Sequence, residues 1–198
     1  NRLIYEQTGV STYQRIGVSY ASLGKFEVAI EFLEKALEIE YDDAVAFELA
    51  TILYDQKEYQ KANLYFKQID TISQDFEGYE YGYALSLHAE HQTEEALRLT
   101  QQGLSKNPFD TRLLLLASQL SYELHDEQKA EDYLLKAKDN AEDLEEIALR
   151  LSNLYLEQER FDEVLKFEEQ DIDNVLTKWN IARAYQALEQ TTAALERY

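Results

Sequence analysis

Two rows of small residues recur along the chain at a nearly constant interval. The first row, with intervals of 33, 34, 34, 34 and 30 residues, consists of Ala29, Ala62, Ala96, Ala130, Val164 and Ala194. The second row keeps the same register and consists of Gly17, Ala50, Ala84, Ser118, Ser152 and Ala182. A fixed period of this size indicates stacked repeats, because each repeat buries its apolar face only against its neighbours. The sequence therefore predicts one repeat array.

The stretch from Tyr13 to Ala36 indicates what one repeat contains. Its apolar and small residues mostly fall three or four positions apart, which places each set on one face of a helix. The first set is Tyr13, Ile16, Gly17 and Tyr20, and the second is Phe26, Ala29, Ile30, Leu33 and Ala36. Between them, Gly24 can adopt the left-handed conformation that ends a helix without a steric penalty. The stretch predicts a helical hairpin.

This hairpin resembles a tetratricopeptide repeat, whose period is about 34 residues. The matching positions are Tyr13, Ile16, Gly17, Tyr20, Gly24, Phe26, Ala29, Leu33 and Ala36, with Leu33 where the family more often has Phe. The resemblance implies an all-α fold, an α-α superhelix formed as a right-handed solenoid of helical hairpins. The repeats fall at 10–42, 43–76, 77–110, 111–144, 145–173 and a truncated 174–198, in one array over 1–198. We expect a segment of a longer solenoid, because the last repeat stops inside its second helix.

Several positions predict local departures from the regular repeat. Lys57 stands where a glycine is common, which predicts a less relaxed turn. Asp110 is expected to cap the helix that follows it. In the fifth repeat we expect a shortened second helix ending near Glu169, with 171–174 as turn and cap. The last first-helix is expected over 174–188, with its partner helix beginning at Thr191.

The composition excludes several classes of function. Thirty-nine acidic against nineteen basic residues give a net charge of −20, which disfavours nucleic acids and anionic membrane surfaces. No apolar run is long enough to span a bilayer, so we expect no membrane insertion. Without cysteine there can be no disulfides and no thiolate zinc site. We expect a soluble, cytoplasmic protein.

Residues with catalytic or metal-binding chemistry are sparse. His88, Glu90, His91 and Glu95 form the only cluster with ligand chemistry, but the chain turns near His91 and no third ligand is fixed by spacing. No glycine-rich phosphate loop and no nucleophile with a paired base is present. The sequence therefore predicts no metal, no cofactor and no enzymatic activity.

The family resemblance implies a binding surface, because first helices in such arrays line a concave groove that holds ligand peptides. The groove residues, offset from the packing stripe, are Phe47, Thr51, Tyr54, Tyr81, Leu85, His88, Leu115, Gln119, Tyr122, Asn153, Trp179 and Arg183. Such a groove suits an amphipathic helix or an extended apolar segment. Family members that grip a terminal carboxylate use Lys, Asn and Arg. The matching places here hold Gln14, Val18, Glu48, Gly78 and Gly82, which argues against that mode.

Three readings of function follow from the resemblance. The leading one is a non-catalytic protein–protein interaction scaffold whose groove binds a peptide or helix of a partner. The first alternative is an assembly module that pairs with a second copy, as a homo-dimer for example. The second is a peptide-sensing regulator whose output domain lies outside this chain. The same aromatic residues would also serve as packing within or between repeats.

Overall fold

The computed structural model describes residues 2–71, 76–170 and 172–195, and the side chains of 12–71, 76–170 and 172–189. These residues form helices joined by short connections, with no strand among them. The helices are α1 (Arg2–Ser22), α2 (Phe26–Ile39), α3 (Asp43–Asp55), α4 (Tyr59–Phe66), α5 (Tyr79–Ala89), α6 (Thr93–Lys106), α7 (Thr111–Glu123), α8 (Glu127–Lys138), α9 (Glu145–Glu157), α10 (Phe161–Leu165) and α11 (Val175–Leu195).

The helices pack as hairpins in series. The chain divides into two units, Asn1–Gln102 and Gly103–Tyr198, and the division falls inside α6. In the first unit α1 packs on α2 and α3 on α4, while α2 also packs on α3 and α4 on α5. In the second unit the same order holds from α7 to α11, and α9 also packs on α11. The predicted all-α fold of helical hairpins is confirmed.

The two rows of small residues lie where neighbouring helices approach each other most closely. Nearly all of them are buried, with Ala29, Ala50 and Ala62 completely so. At Gly17 an added Cβ would lie 2.8 Å from Cγ of Leu33 and 3.2 Å from the carbonyl oxygen of Ala29. Only a small residue fits in such a contact, because protein interiors are close-packed.

The last helix departs from the predicted register. Ala182 was expected in the buried row, but it is exposed, and Ala184 is the completely buried alanine of α11. Since the fifth repeat is shortened by about one turn, α11 meets α9 in a different rotation. The side chain of Ala194, the last member of the other row, lies outside the described residues.

The turns inside the hairpins share one backbone feature. A residue with positive φ occupies the same place in each turn: Gly24 (71°), Lys57 (63°), His91 (59°), His125 (62°) and Glu159 (56°). The less relaxed turn predicted at Lys57 is confirmed, because a side chain in this region costs about 1 kcal/mol or more. His91 and His125 are both exposed turn residues.

Glycine at these strained positions should stabilise the fold. We expect the quadruple substitution of Lys57, His91, His125 and Glu159 by glycine to raise the free energy of unfolding by about 2 kcal/mol. At each position, the free energy gained by relieving the strain of positive φ should exceed the free-energy cost of the extra conformational entropy that glycine gives the unfolded chain. Urea unfolding followed by circular dichroism measures the change. The control Gln128→Gly, in α8, should lose about 1 kcal/mol, and a similar loss in the quadruple variant would contradict the expectation.

The fifth repeat has the predicted short second helix. It ends at Leu165, one turn before the expected Glu169. Asn174 then caps α11, its Oδ1 accepting hydrogen bonds from the backbone N–H groups of Leu176 (3.0 Å) and Thr177 (3.1 Å). This agrees with the cap expected at Asn174, while Asp171, the first residue of the expected turn, lies outside the described residues.

The expected last hairpin is absent, because α11 continues as one helix from Val175 to Leu195. A turn near Leu188 and a new helix from Thr191 were expected. The segment Leu188–Gln190 repeats the sequence of Leu156–Gln158, which precedes the positive-φ residue Glu159. The corresponding position is Thr191, and β-branched residues strongly disfavour positive φ. The helix therefore continues where the other repeats turn.

Candidate functional site

A cavity of about 310 Å³ lies in the second unit, between the first helices of two successive repeats. We call it the α7–α9 cavity. Its lining residues are Ser118, Gln119 and Tyr122 of α7, Ala130 and Leu134 of α8, and Arg150, Asn153, Leu154 and Glu157 of α9. The structure thus brings together three of the sequence-predicted groove residues, Gln119, Tyr122 and Asn153.

Helical spacing explains how the cavity acquires an apolar floor and a polar rim. Ala130, Leu134 and Leu154 are buried, with exposed fractions of 1%, 3% and 3%. Tyr122 and Asn153, on the solvent side of their helices, are exposed. Positions three or four apart share one helical face, so Gln119 lies beside Tyr122 and Asn153 beside Glu157. The cavity therefore offers apolar contact below and hydrogen-bonding groups above.

Arg150 fixes one end of the cavity. Its Nη1 donates to the carbonyl oxygen of Leu115 on α7 at 3.1 Å, and its Nη2 donates to Oε1 of Glu146 at 2.5 Å. The guanidinium thus ties α9 to α7 and is already neutralised by a carboxylate. Sequence reasoning missed Arg150, although it lies three residues before Asn153 and hence on the same face.

Tyr122 and Glu157 form the other end. The phenol of Tyr122 donates to Oε2 of Glu157 at 2.5 Å. This hydrogen bond raises the pKa of Tyr122, as do the negative charges of Glu157 and Glu127. Gln158 Nε2 in turn donates to Oε2 of Glu127 at 2.9 Å. Neither Glu127 nor Glu157 forms an ion pair within the part of the chain that the structure describes, so negative charge accumulates at this end.

Asn153 is held by a link between α9 and α11. Asn180, which is 3% exposed, donates through Nδ2 to Oδ1 of Asn153 at 2.7 Å and to Oγ of Ser152 at 2.9 Å. A buried amide of this kind fixes the relative position of two helices, since leaving it without partners would be costly.

The remaining predicted residues of the second unit lie beside this link. Trp179 is 62% exposed on α11, and Arg183 is exposed one turn further on. Leu115 is half-buried on α7. None of these three side chains lines the α7–α9 cavity.

In the first unit, the aromatic residues predicted for the groove also pack within the fold. The ring centroid of Phe47 lies 6.1 Å from that of Phe66, 5.4 Å from that of Phe76 and 6.5 Å from that of Tyr79. These distances are typical of a packed aromatic cluster. Much of the Phe47 ring is therefore committed to contacts inside the unit.

Tyr54 and its neighbours form a second group in the first unit. The ring of Tyr54 lies 5.6 Å from that of Tyr59. Burial raises the pKa of Tyr54, and so does the nearby Tyr81. Leu85 and His88 are half-buried on α5, while Thr51 is exposed and its hydroxyl donates to the carbonyl oxygen of Phe47 at 2.9 Å.

The positions that would bind a ligand carboxylate in some family members have a different arrangement in this chain. Gln14 Nε2 donates to Oε2 of Glu48 at 3.3 Å. Burial raises the pKa of Glu48, while the hydrogen bond from Gln14 lowers it. A carboxyl at this position would repel a ligand carboxylate, in agreement with the sequence argument.

The described residues also bear on two other classes of site, a metal site and a membrane-spanning helix. Among the described side chains, those of 12–71, 76–170 and 172–189, no group of three or more His, Asp or Glu is arranged to hold a metal ion. Over 2–71, 76–170 and 172–195, no helix combines the length and apolar character needed to cross a membrane.

Hairpins packed in series through small residues define the helical-repeat class of proteins. Residues 10–43 match the family model of the tetratricopeptide repeat. The TPR repeat-containing protein YpiA of Bacillus subtilis (strain 168) is 22% identical over 194 residues, covering 96% of this chain and 46% of YpiA. The chain thus spans about half the length of the curated relative that it matches.

Solved structures agree with this assignment. MamA (41-end) of Desulfovibrio magneticus RS-1 superposes with a TM-score of 0.71 at 19% identity, over 82% of this chain and 97% of that one. A thermophilic TPR protein of Thermus thermophilus superposes with a TM-score of 0.55 at 23% identity, over 89% and 99%. Residues 10–43 therefore match a tetratricopeptide repeat, and the fold of the chain is similar to the folds of these solved proteins.

Proposed function

We propose that this chain is a non-catalytic protein-interaction scaffold that binds a peptide or helix of a partner along the exposed face of its first helices. The observation that carries the proposal is the α7–α9 cavity, in which Gln119, Tyr122 and Asn153 surround an apolar floor. Binding sites for polypeptide segments combine apolar pockets with a few polar groups that fix orientation. The cavity has this composition.

The wider surface of the proposed site is the groove row expected from the sequence. In the second unit, Trp179 extends the row as an exposed aromatic ring, the type of side chain that often anchors a partner. In the first unit, Thr51, Tyr81, Leu85 and His88 complete it. Phe47 and Tyr54 support this surface from within the fold, so substitutions there would confound binding with stability.

A matched pair of variants tests the proposal. Gln119→Ala/Asn153→Ala removes two rim amides of the α7–α9 cavity, and Gln128→Ala/Asn140→Ala removes the same residue types from exposed positions in α8 and just after it. Gln119 and Gln128 each donate to an acidic residue four positions on, in their own helix. We expect the first variant to capture at least about ten times less partner from native lysate than the control, a loss of about 1.4 kcal/mol. If both variants fold and capture the same amount of partner, the proposal that the partner binds in the groove is wrong.

The assembly alternative is favoured by one further observation. Val175, Leu176 and Trp179, at the start of α11, are 77%, 58% and 62% exposed, and clustered apolar side chains at a surface often mark an interaction site. Sedimentation across the micromolar range separates the two functions. A concentration-dependent increase in mass that Trp179→Ala abolishes would favour self-assembly, whereas a monomer throughout would exclude it as the main role.

The regulator alternative depends on sequence beyond this chain. YpiA extends well past the matched region, so a longer protein is the relevant object for that test. An attached catalytic or DNA-binding domain in the full-length protein would support a sensing role, and its absence would remove it.

A further inference from the structure

The two ends of the α7–α9 cavity differ in electrostatic character. At one end the guanidinium of Arg150 is bonded to Glu146 and to the carbonyl oxygen of Leu115. At the other end, Glu157 accepts a hydrogen bond from the neutral phenol of Tyr122. Arg150 and Glu157 are separated by seven positions on one helix, or about 10 Å along its axis. The positive charge is therefore satisfied locally, while the negative charge is not.

Cations close in sequence to the negative end are committed elsewhere. Lys129 pairs with Asp126 at 2.6 Å. Arg160 pairs with Glu131 at 2.6 Å and also contacts Gln158. Among the described residues, no ion pair involves Glu127 or Glu157, whereas the nearby Asp126 and Glu131 are each paired with a cation. Two carboxylates next to a cavity without a counter-charge attract a cation from outside.

The shape of the cavity suits a long cationic side chain. Ala130, Leu134 and Leu154 form an apolar floor against which a methylene stem would pack, as Lys and Arg stems do on apolar surfaces. The ring of Tyr122 lines the same space and offers an aromatic face to a cation. A head group lying beyond the stem would reach the carboxylates of Glu157 and Glu127.

We propose that the α7–α9 cavity binds a single Arg or Lys side chain of the partner segment, with its stem on the apolar floor and its charge at Glu157 and Glu127. The inference rests on the proposed function and deepens it. The groove then selects partners that carry a basic residue between apolar ones. The net charge of −20 favours the approach of such segments from a distance.

The test uses two defined probes and full-length protein labelled with ¹⁵N. Both probes are acetylated, amidated nine-residue peptides of serine, leucine and alanine. One has a central arginine and the other a central citrulline, which is nearly the same size but neutral. We expect the arginine peptide to shift amide signals of α7 and α9 around the cavity and to bind at least about ten times more tightly than the citrulline peptide, because charge-assisted hydrogen bonds are stronger than neutral ones.

Variants of equal charge change make the test specific. In Glu127→Gln/Glu157→Gln, we expect the advantage of arginine to fall below about twofold. The control Asp132→Asn/Asp139→Asn removes two negative charges from exposed positions in α8 and at its C-cap and should keep the advantage. An equal loss in both variants would mean that only overall charge matters, and would overturn the site.

The outcomes also separate this inference from the proposed function. Equal shifts and equal affinities for the two peptides would overturn the cationic pocket while leaving an apolar groove in place. If neither peptide shifts amide signals at the cavity, the inference of a cation-binding pocket is wrong. The lysate capture experiment would then test separately whether a partner binds in the groove. Preference for a matched peptide with central glutamate would assign the cavity to acidic segments through Arg150 and contradict the inference.

Discussion

Replacement of Leu151 by alanine is expected to lower the free energy of unfolding by about 3–4 kcal/mol. Leu151 is 0% exposed and belongs to a buried cluster with Leu114 of α7, Leu134 of α8, Val164 of α10 and Ala184 of α11. Truncation leaves a cavity where elements of successive hairpins meet, and the lining loses its packing contacts. Urea denaturation, followed by the circular dichroism of the helices, gives the change directly.

Leu135→Ala is the matched control for this substitution. Leu135 lies on α8 with 39% of its surface exposed, so the same change should cost less than about 1 kcal/mol. If Leu151→Ala cost no more than Leu135→Ala, the second unit would not share a core between its hairpins. Because the cluster includes residues of five helices, we also expect a single unfolding transition for this unit.

Arg160→Ala is expected to lower the free energy of unfolding by about 3 kcal/mol, because it leaves a buried carboxylate without its counter-charge. Arg160 donates through Nη1 (2.6 Å) and Nη2 (3.0 Å) to the carboxylate of Glu131, which is 6% exposed. Its guanidinium also lies 4.4 Å from the ring centroid of Tyr155. The pair joins α8 to the start of α10, so its loss should loosen the short fifth repeat.

Two further variants make this result interpretable. Lys129→Ala breaks the Lys129–Asp126 pair, in which both side chains are over one third exposed, and should cost less than about 1 kcal/mol. Adding Glu131→Leu to Arg160→Ala removes the buried charge itself and should restore most of the lost stability. A double variant as unstable as Arg160→Ala alone would mean that packing, and not the charge, explains the loss.

The same pair predicts a dependence on pH. The hydrogen bond from Arg160 lowers the pKa of Glu131 below its usual value of 4.5. A group with a lowered pKa stabilises the fold above its unfolded pKa and loses that contribution as the pH falls through its folded pKa. The difference in stability between the natural protein and Arg160→Ala should therefore be constant near neutral pH and shrink below about pH 4.5. A difference that grows on acidification would contradict this assignment.

Much of the fold was predictable because the same interval recurs at many positions along the chain. The small residues Gly17, Ala29 and Ala62 are buried for a single reason, the close approach of two helices, so the interval between them carries the information. The end of the array was less predictable. At Thr191 the turn depends on whether one residue type tolerates positive φ, and the loss of one turn before α11 changed which alanine is buried.

The candidate site was predictable only in part. Gln119, Tyr122 and Asn153 were predicted as groove residues because they are offset from the packing stripe by a fixed number of residues, and all three line the α7–α9 cavity. Arg150 and Glu157 were missed because their importance comes from partners on other helices, which spacing along one helix does not reveal. Phe47 was assigned to the groove although its ring packs against three others, since helical periodicity alone does not separate a groove-lining ring from one that packs between helices.

The most direct test of the central claim is site-specific photo-crosslinking in the native cell. A photoreactive amino acid is placed in the full-length protein at Gln119, on the rim of the α7–α9 cavity, or at Gln128, on α8. If the exposed face of the first helices holds a partner segment, irradiation should join a distinct protein to position 119 and leave position 128 without it. A partner joined at 128 but not at 119, or crosslinks at 119 only to a second copy of this chain, would contradict that claim.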